Sequence, residues 1–324
     1  MHRYKSKNIL QTVLCMVLLC TILLIAINPS TYIASTSNGI MVWANVILPS
    51  LLPFFFLTKL LCNFDTMFSF TKIFSKPMNK LYNCPSISSY VATMSIISGY
   101  PIGAKLISEF FENKYISSGQ AHRMISFCST SGPLFIIGSV GVGFFGDAKL
   151  GIIIFISHIL SSLVNGLIYR KYKYDSTKTH NTNLALNTQS TLSDCMYNTI
   201  MSVMLVGGFI AISFVFIDIL ENLKVLSIFS SAIDAIIPNT NIGKPIVSGI
   251  LEVTSGCLEL SKLPLNTRLL TTLCCGLISF GGISIHLQSI VFLKKCGIKY
   301  KYFLITKTTH AILSMCICGL ICMF

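Results

Sequence analysis

Residues 86–104 of the chain, SISSYVATMSIISGYPIGA, form an uncharged run that is interrupted at 98–103 by Ser-Gly-Tyr-Pro-Ile-Gly. Two glycines and a proline cannot continue a regular helix. Each flank has about ten residues, so as a helix it is about 15 Å long and crosses about half of a ~30 Å hydrocarbon core. The stretch therefore predicts a re-entrant helical hairpin whose tip lies near the middle of a membrane.

The composition supports a membrane protein. Apolar residues make up 53% of the 324-residue chain and charged residues only 11%, whereas soluble domains carry roughly 25% charged residues. The formal net charge is +13, and the lysines and arginines lie mainly in short segments between apolar runs. That distribution is typical of basic inner loops and offers no soluble basic face for nucleic acid. The 13 cysteines include no CxxC pair, so we interpret them as small packing residues rather than metal ligands.

Long uncharged runs locate the membrane spans, each of which needs about 20 mostly apolar residues. The first run is interpreted as an uncleaved helix, because Asn28-Pro29 is no signal-peptide cleavage site. The polar stretch Asn28–Asn38 that follows it is predicted as a loop. A broken run at 245–262 predicts a second hairpin, and 62–89 predicts a surface helix with a loop. The seven predicted spans are 9–27, 40–61, 124–146, 150–169, 195–217, 269–293 and 303–324.

Four interruptions fall in the same order in the two halves of the chain, at 98–103, 129–133, 254–257 and 279–282. Ser98 and Ser255 are 157 residues apart, and Ser131 and Gly281 are 150 apart. Placing the basic segments inside gives the two halves opposite orientations, with the mixed segment 218–244 outside. Inverted repeats with discontinuous helices are the architecture of many secondary transporters.

The predicted fold is therefore all-α: a polytopic membrane protein with about seven transmembrane helices plus two re-entrant hairpins in an inverted repeat. A membrane scaffold with incidental glycine and proline kinks is the alternative. The predicted divisions are an N-terminal transmembrane helix and following loop at 1–39, a first repeat at 40–169, a cytoplasmic linker at 170–194 and a second repeat at 195–324.

The breaks are also the predicted binding site. Non-helical backbone at membrane depth is tolerated only when it is buried in protein or lines a wet cavity. The half-helices that begin after the breaks carry partial positive charge at their N-termini, which favours an anion. The candidate substrate-binding residues are Ser98, Gly99, Lys105, Ser129, Thr130, Ser131, Glu252, Thr254, Ser255, Gly281 and Gly282.

Alternatives stay open for several of these residues. The hydroxyls could instead cap freed backbone groups, and Lys105 could snorkel or pair with Glu109 four residues on. Glu252 is an intramembrane acid that could bind a coupling proton or a polar group of the substrate. The intramembrane residues His158, His286 and His310 could bond neighbouring helices or move protons, and His286, close to Gln288, is the best placed of the three. We find no nucleophile–base set, phosphate loop or metal motif, so we predict no enzyme and no cofactor.

Three runs carry a family resemblance: Leu48-Pro49-Ser50-Leu51-Leu52-Pro53-Phe54-Phe55, Ser98-Gly99-Tyr100-Pro101-Ile102-Gly103-Ala104-Lys105 and Ser131-Gly132-Pro133-Leu134-Phe135-Ile136. The chain resembles, over about 40–320, the sporulation integral membrane protein YlbJ (SpoVV) family. The resemblance implies two Gate-like repeats of the nucleoside-recognition type, similar to concentrative nucleoside transporters.

The resemblance also implies a function in endospore formation. The expected activity is transport of dipicolinic acid, a small dianion, from the mother cell across the outer forespore membrane. A nucleoside or other small-metabolite transporter, or a non-transporting scaffold of spore envelope assembly, is the alternative. The expected partners are a small anionic substrate and the lipid bilayer, and a homo-oligomer stays open.

Overall fold

A computed structural model describes residues 2–62, 72–172 and 191–323, and this part of the chain is helical without a strand. Part of the predicted surface loop, 63–71, and most of the predicted linker, 173–190, lie outside the described residues. The prediction of an all-helical membrane protein is confirmed.

The N-terminal region contains more helix than predicted. Helix α1, His2–Ile27, ends at a single bend, and α2, Pro29–Val42, continues through the π-helical turn Trp43–Ile47 into α3, Leu48–Cys62. The predicted loop at Asn28–Asn38 is therefore wrong. Pro29 begins α2 at a position where its missing N–H leaves no bond unmade, and the Ser35 and Thr36 hydroxyls donate to carbonyls one turn back.

The rest of the first half forms short helices and one long one. The Ser117 hydroxyl and the Gln120 side chain form a capping box that begins helix Ser118–Ile125, and the Asp147 carboxylate accepts a bond from the Lys149 N–H at the start of helix Ala148–Tyr169. Residues 126–132 are not helical, as the predicted break at 129–133 requires. In order, the elements are a 3₁₀ turn Lys72–Phe74, α4 Ser75–Tyr82, α5 Ile87–Ser98, α6 Ile102–Glu112, α7 Ser118–Ile125, the π segment Leu134–Phe144 and α8 Ala148–Tyr169.

The second half runs in the same order as the first: a long helix, a short helix, a hairpin, a broken segment and a long helix. A capping box between Thr191 and Asp194 begins its first helix. The elements are α9 Leu192–Asn222, α10 Val225–Ile236, α11 Gly243–Leu251, α12 Val253–Ser261, α13 Thr267–Phe280, α14 Gly282–Leu293, a 3₁₀ turn Lys294–Cys296 and α15 Tyr300–Ile321.

Among the described residues, five helical segments are long and apolar enough to cross a membrane: Pro29–Leu61, Ala148–Tyr169, Leu192–Asn222, Thr267–Cys296 and Tyr300–Ile321. Two further predicted spans contain shorter apolar helices, Cys15–Ile27 and Leu134–Phe144. The count of seven spans plus two re-entrant hairpins stays a prediction.

Packing brings the broken elements to the centre. Helix α9 lies against α2 and α3, α13 lies between α8 and α15, and α6 packs on α14. We call the α5–α6 pair hairpin 1 and the α11–α12 pair hairpin 2; in each, the two arms contact each other. Hairpin 2 from the second half and the π segment from the first half are also in contact.

The segments 62–89, 170–194 and 294–301 carry most of the basic residues between the apolar runs, and their described parts lie together at one end of the molecule. The Asn83 side chain donates to the Arg170 carbonyl at 3.0 Å, and the Arg123 guanidinium donates to the Tyr172 carbonyl at 3.1 Å. The Ser118 hydroxyl donates to the Cys296 carbonyl at 2.7 Å. This arrangement agrees with the grouping that the charge pattern predicts, and the positive-inside rule makes this end the expected inner one.

Candidate functional site

Parts of all four broken elements border one space, which we call the central cavity, of about 80 Å³. The tip of hairpin 1 and the break of hairpin 2 line it. Residues beside the second break, 129–133, and beside the fourth break, 279–282, each line one side. An apolar wall closes the rest. The polar and backbone part of the lining is Ser98, Gly99, Tyr100, Ser131, Gly132, Glu252, Thr254, Ser284 and Gln288, and the aromatic part is Phe54, Phe55, Phe135 and Phe209.

A second space, the side cavity, adjoins the central cavity. Its volume is about 200 Å³. The two spaces share wall residues from α3, hairpin 1, α9 and α14: Phe55, Ser98, Tyr100, Val206 and Gln288. Lys59 and Lys105 line only the side cavity, so the side cavity is the more basic of the two.

Gly99 shapes the tip of hairpin 1 and its contact with the second break. Its backbone has φ 75° and ψ −168°, a region that is essentially restricted to glycine. A Cβ at Gly99 would lie 2.6 Å from the Gly132 nitrogen. This close approach of two backbones places Ser98 and Ser131, from different breaks, in the wall of the same cavity.

The break in hairpin 2 is at Glu252, which is extended, with φ −144° and ψ 118°. The predicted break at 254–257 is therefore wrong, because those residues belong to α12. The Glu252 carboxylate accepts a bond from the Ser255 N–H at 2.8 Å. An N-cap carboxylate satisfies the free N–H groups of the first turn, so α12 can begin earlier than the glycine pattern indicates.

The fourth break is at Gly281, with φ 92°, as predicted. The next residue, Gly282, lies so close to hairpin 2 that a Cβ on it would be 3.2 Å from the Val253 nitrogen and from the Gly249 carbonyl oxygen. The backbone of the fourth break therefore supports the break of hairpin 2.

Lys307 of α15 is the buried cation of this region, with 2% of its surface exposed. Its ammonium donates to the Tyr100 hydroxyl at 2.6 Å and to the Ser129 carbonyl at 3.0 Å. The same Nζ lies 4.5 Å from the centre of the Tyr100 ring. In the described part of the chain no carboxylate lies within ion-pair distance of Lys307. Neutral oxygens and a ring thus surround the Lys307 nitrogen directly behind the cavity wall.

His158 links the second break to the fourth. Its Nε2 accepts a bond from the Ser131 N–H at 2.9 Å, so the proton is on Nδ1, which donates to the Ser279 hydroxyl at 2.7 Å. His310 Nε2 in turn donates to the His158 carbonyl at 3.0 Å. His286 bonds the Phe280 carbonyl at 2.8 Å and does not line the central cavity. Of the three histidines, His158 bonds residues of two breaks, whereas His286 bonds a residue of the fourth break.

The predicted site residues divide into three groups. Ser98, Gly99, Ser131, Glu252 and Thr254 line the central cavity. Lys105 lines the side cavity, where its half-exposed ammonium lies 3.8 Å from Glu109, as one of the alternatives anticipated. The other five candidates do not line the central cavity: Ser129, Thr130, Ser255, Gly281 and Gly282.

Those five residues instead support the breaks through their backbones and short side chains. The Thr130 hydroxyl, for example, bonds the Ser95 hydroxyl at 2.9 Å, and the Ser255 N–H is taken by Glu252. The Ser129 hydroxyl is buried without a hydrogen-bond partner among the described residues, so capping of freed backbone groups by these hydroxyls stays a prediction.

The candidate list omitted Tyr100, Gly132, Ser284, Gln288 and Lys307. Lys307 had a signal, because it is the one residue of the Asp, Glu, Lys and Arg types in the apolar run 303–324, and ionisable residues inside a span mark functional sites. Tyr100 and Gln288 have no comparable signal, since only packing places them at the cavity.

Comparisons with known proteins agree with this fold. The chain is 30% identical over 311 residues to the "Sporulation integral membrane protein YlbJ" of Bacillus subtilis (strain 168), in an alignment that covers 88% of this chain and 76% of that protein. It is similar to the solved structure of a CNTnw variant in the intermediate 1 state, with a TM-score of 0.53 and 13% identity over 91% of this chain and 85% of that one. At that identity the likeness concerns the fold alone. No protein-family model matches the chain.

Proposed function

The chain belongs to the YlbJ family of sporulation integral membrane proteins, and on this basis we propose that it transports a small anion, dipicolinic acid, across the outer forespore membrane. Membership of this family supports a membrane role in sporulation. The choice of a transporter and of an anion rests on the central cavity.

The observation that carries the proposal is the meeting of four helix N-termini at one cavity. Residues just before the starts of α6, the π segment and α12, and one in the first turn of α14, line it: Tyr100, Gly132, Glu252 and Ser284. Each helix N-terminus is equivalent to roughly half a positive charge, and its free N–H groups bind anions. The end of α12 is capped by the Glu252 carboxylate, and the other three ends around the cavity favour a negatively charged ligand.

When it is protonated, Lys307 adds a positive charge to this field. Its ammonium is one hydrogen bond, 2.6 Å, behind the Tyr100 hydroxyl that forms part of the wall. Lys307 thereby has the electrostatic role that we predict for Lys105. Lys105 itself lies in the side cavity beside Glu109. Burial of a charge without an opposite charge nearby is costly. An anionic substrate would therefore lower the free energy of the protonated lysine.

The rest of the lining fits a flat aromatic dicarboxylate. Phenylalanine rings can pack on the pyridine ring of dipicolinate, and the Ser98, Ser131 and Thr254 hydroxyls can donate to its carboxylates. Mostly apolar walls with a few placed polar groups are typical of small-molecule sites. Glu252 is the exception, because its negative charge would repel the substrate. We therefore assign to Glu252 the coupling proton, which would neutralise it.

Two measurements test the proposal. Deletion of the gene should give spores without dipicolinate from mother cells that still make it, and normal dipicolinate in those spores would rule the function out. Purified protein in proteoliposomes should take up labelled dipicolinate, whereas empty vesicles should not, and the Lys307→Met variant should take up about tenfold to a hundredfold less.

A nucleoside or another small metabolite is the second candidate substrate. The Glu252 carboxylate and the Gln288 amide beside an aromatic wall would suit the hydroxyls and ring of a neutral ligand. Unlabelled nucleosides that compete with dipicolinate in proteoliposomes at equal concentration would favour this candidate. A non-transporting scaffold, by contrast, predicts normal spores from Lys307→Met and Ser98→Ala variants that insert normally.

A further inference from the structure

A third cavity, of about 430 Å³, lies at the basic end of the molecule between α8 and α15. We call it the end cavity. It shares no lining residue with the central cavity or the side cavity. Tyr169 and Tyr172 line one side of it and Tyr302 and Ile305 line another. The rest is lined by His122, Gly297, Lys299 and Lys301.

Ring contacts and hydrogen bonds hold the aromatic wall of the end cavity in place. The rings of Tyr172 and Tyr302 stack with their centres 4.4 Å apart, and the His122 ring lies 5.0 Å from Tyr302. The Tyr302 hydroxyl donates to the His122 carbonyl at 2.8 Å, and buried Arg123 donates to the Tyr172 carbonyl. The wall is thus preformed, which lowers the ordering cost of binding.

The charge of the end cavity indicates an anion. Lys299 and Lys301 are exposed, and neither forms an ion pair with an acid in the ranges that the structure describes. The nearest lysine along the chain that has such a partner is Lys295, 3.0 Å from Glu112. Two lysines two residues apart on one rim provide a positive charge that a phosphate group would match.

The position of the end cavity indicates a lipid as the source of that phosphate. Tyr169 is the last residue of α8, and α15 begins at Tyr300, so the cavity lies where two long apolar helices end. Tyrosines at such ends lie at the level of the headgroups. Ile305 in the cavity wall is 45% exposed, and Ile312, two turns on along the same face of α15, is 51% exposed. This apolar strip offers a path for an acyl chain.

We propose that the end cavity binds the phosphate headgroup of an anionic phospholipid, with one acyl chain along Ile305 and Ile312. Basic pockets between transmembrane helices on the cytoplasmic side are known sites for such headgroups. This inference does not depend on the substrate of the central cavity.

The test is native mass spectrometry of the full-length protein, extracted from vesicles of phosphatidylglycerol or of phosphatidylcholine. The wild type should retain phosphatidylglycerol and not phosphatidylcholine. The variant Lys299→Gln/Lys301→Gln should bind phosphatidylglycerol roughly thirtyfold more weakly, since each lysine near an anionic headgroup contributes about a factor of five. Both side chains are exposed, so folding should be retained.

The matched control is Lys76→Gln/Lys294→Gln, which removes the same charge from exposed positions outside the end cavity. It should retain phosphatidylglycerol as the wild type does. Equal loss in both double variants would overturn the site, because the effect would then be one of net charge. Displacement of the lipid by soluble glycerol phosphate at equal concentration would overturn the lipid assignment in favour of a free phosphate.

Discussion

The Lys307 ammonium donates a 2.6 Å hydrogen bond to the Tyr100 hydroxyl across 207 residues of sequence. The Tyr100 hydroxyl in turn donates to the Ile278 carbonyl at 3.2 Å. The last long helix, the tip of hairpin 1 and the end of α13 are thereby joined in one chain of bonds. Because Tyr100 also lines the central cavity, a substrate there would contact a group that connects both halves of the protein.

Lys307→Met should reduce dipicolinate uptake in proteoliposomes by about tenfold to a hundredfold. The change removes the charge and leaves the Tyr100 and Ser129 oxygens without a donor, and a hydrogen bond to a charged group is worth roughly 1.5–3 kcal/mol. Tyr100→Phe keeps the ring and should have a smaller effect. Lys149→Met, at an exposed position, is the control, and a loss as large as that of Lys307→Met would contradict a specific role for Lys307.

Gly99→Ala should lower the thermal stability of the protein and abolish uptake. Alanine at φ 75°, ψ −168° costs on the order of 1–3 kcal/mol, and its Cβ would lie 2.6 Å from the Gly132 nitrogen. The control is Gly208→Ala in α9, where a Cβ meets nothing within 4 Å and a helical alanine gains about 0.5–1 kcal/mol. Differential scanning fluorimetry should show opposite shifts of Tm, and shifts of the same sign would refute the tip geometry.

Glu252→Gln and Glu252→Ala should separate the capping role of Glu252 from its charge. The glutamine oxygen can still accept from the Ser255 N–H, so its Tm should stay near that of the wild type. Alanine loses the cap, at a cost of about 1 kcal/mol. If Glu252 carries the coupling proton, Glu252→Gln should also remove the pH dependence of uptake. An unchanged pH profile in Glu252→Gln would eliminate the proton role but leave the cap.

Membrane sidedness can be measured with single cysteines at exposed loop positions. Lys171→Cys lies at the basic end, and Leu223→Cys lies between α9 and α10, with Leu223 53% exposed. An impermeant thiol reagent should reach Leu223→Cys from outside the cell and Lys171→Cys only from inside, because basic loops stay inside. Labelling is counted above that of the parent protein, which has 13 native cysteines. Labelling of both positions from one side would rule out the predicted inverted repeat.

The sequence by itself determined the membrane class, the long helices, the order of elements in the two halves and three of the four breaks. These properties depend on neighbours along the chain: runs of apolar residues, and glycine or proline where a helix cannot continue. It misplaced the remaining break, at Glu252 in hairpin 2, because a carboxylate that caps its own helix competes with the glycine signal. It also misread Asn28–Asn38, where the Ser35 and Thr36 hydroxyls bond carbonyls one turn back.

Only the tertiary structure decided which polar residues meet at the central cavity. Ser98 and Thr254 line it, whereas the Thr130 hydroxyl bonds the Ser95 hydroxyl and the Ser255 N–H bonds Glu252, although both residues are equally close to a break in sequence. The buried charge is Lys307 rather than Lys105. The direction of a side chain depends on the rotation of its helix against partners more than a hundred residues away, and local sequence rules carry no information about that rotation.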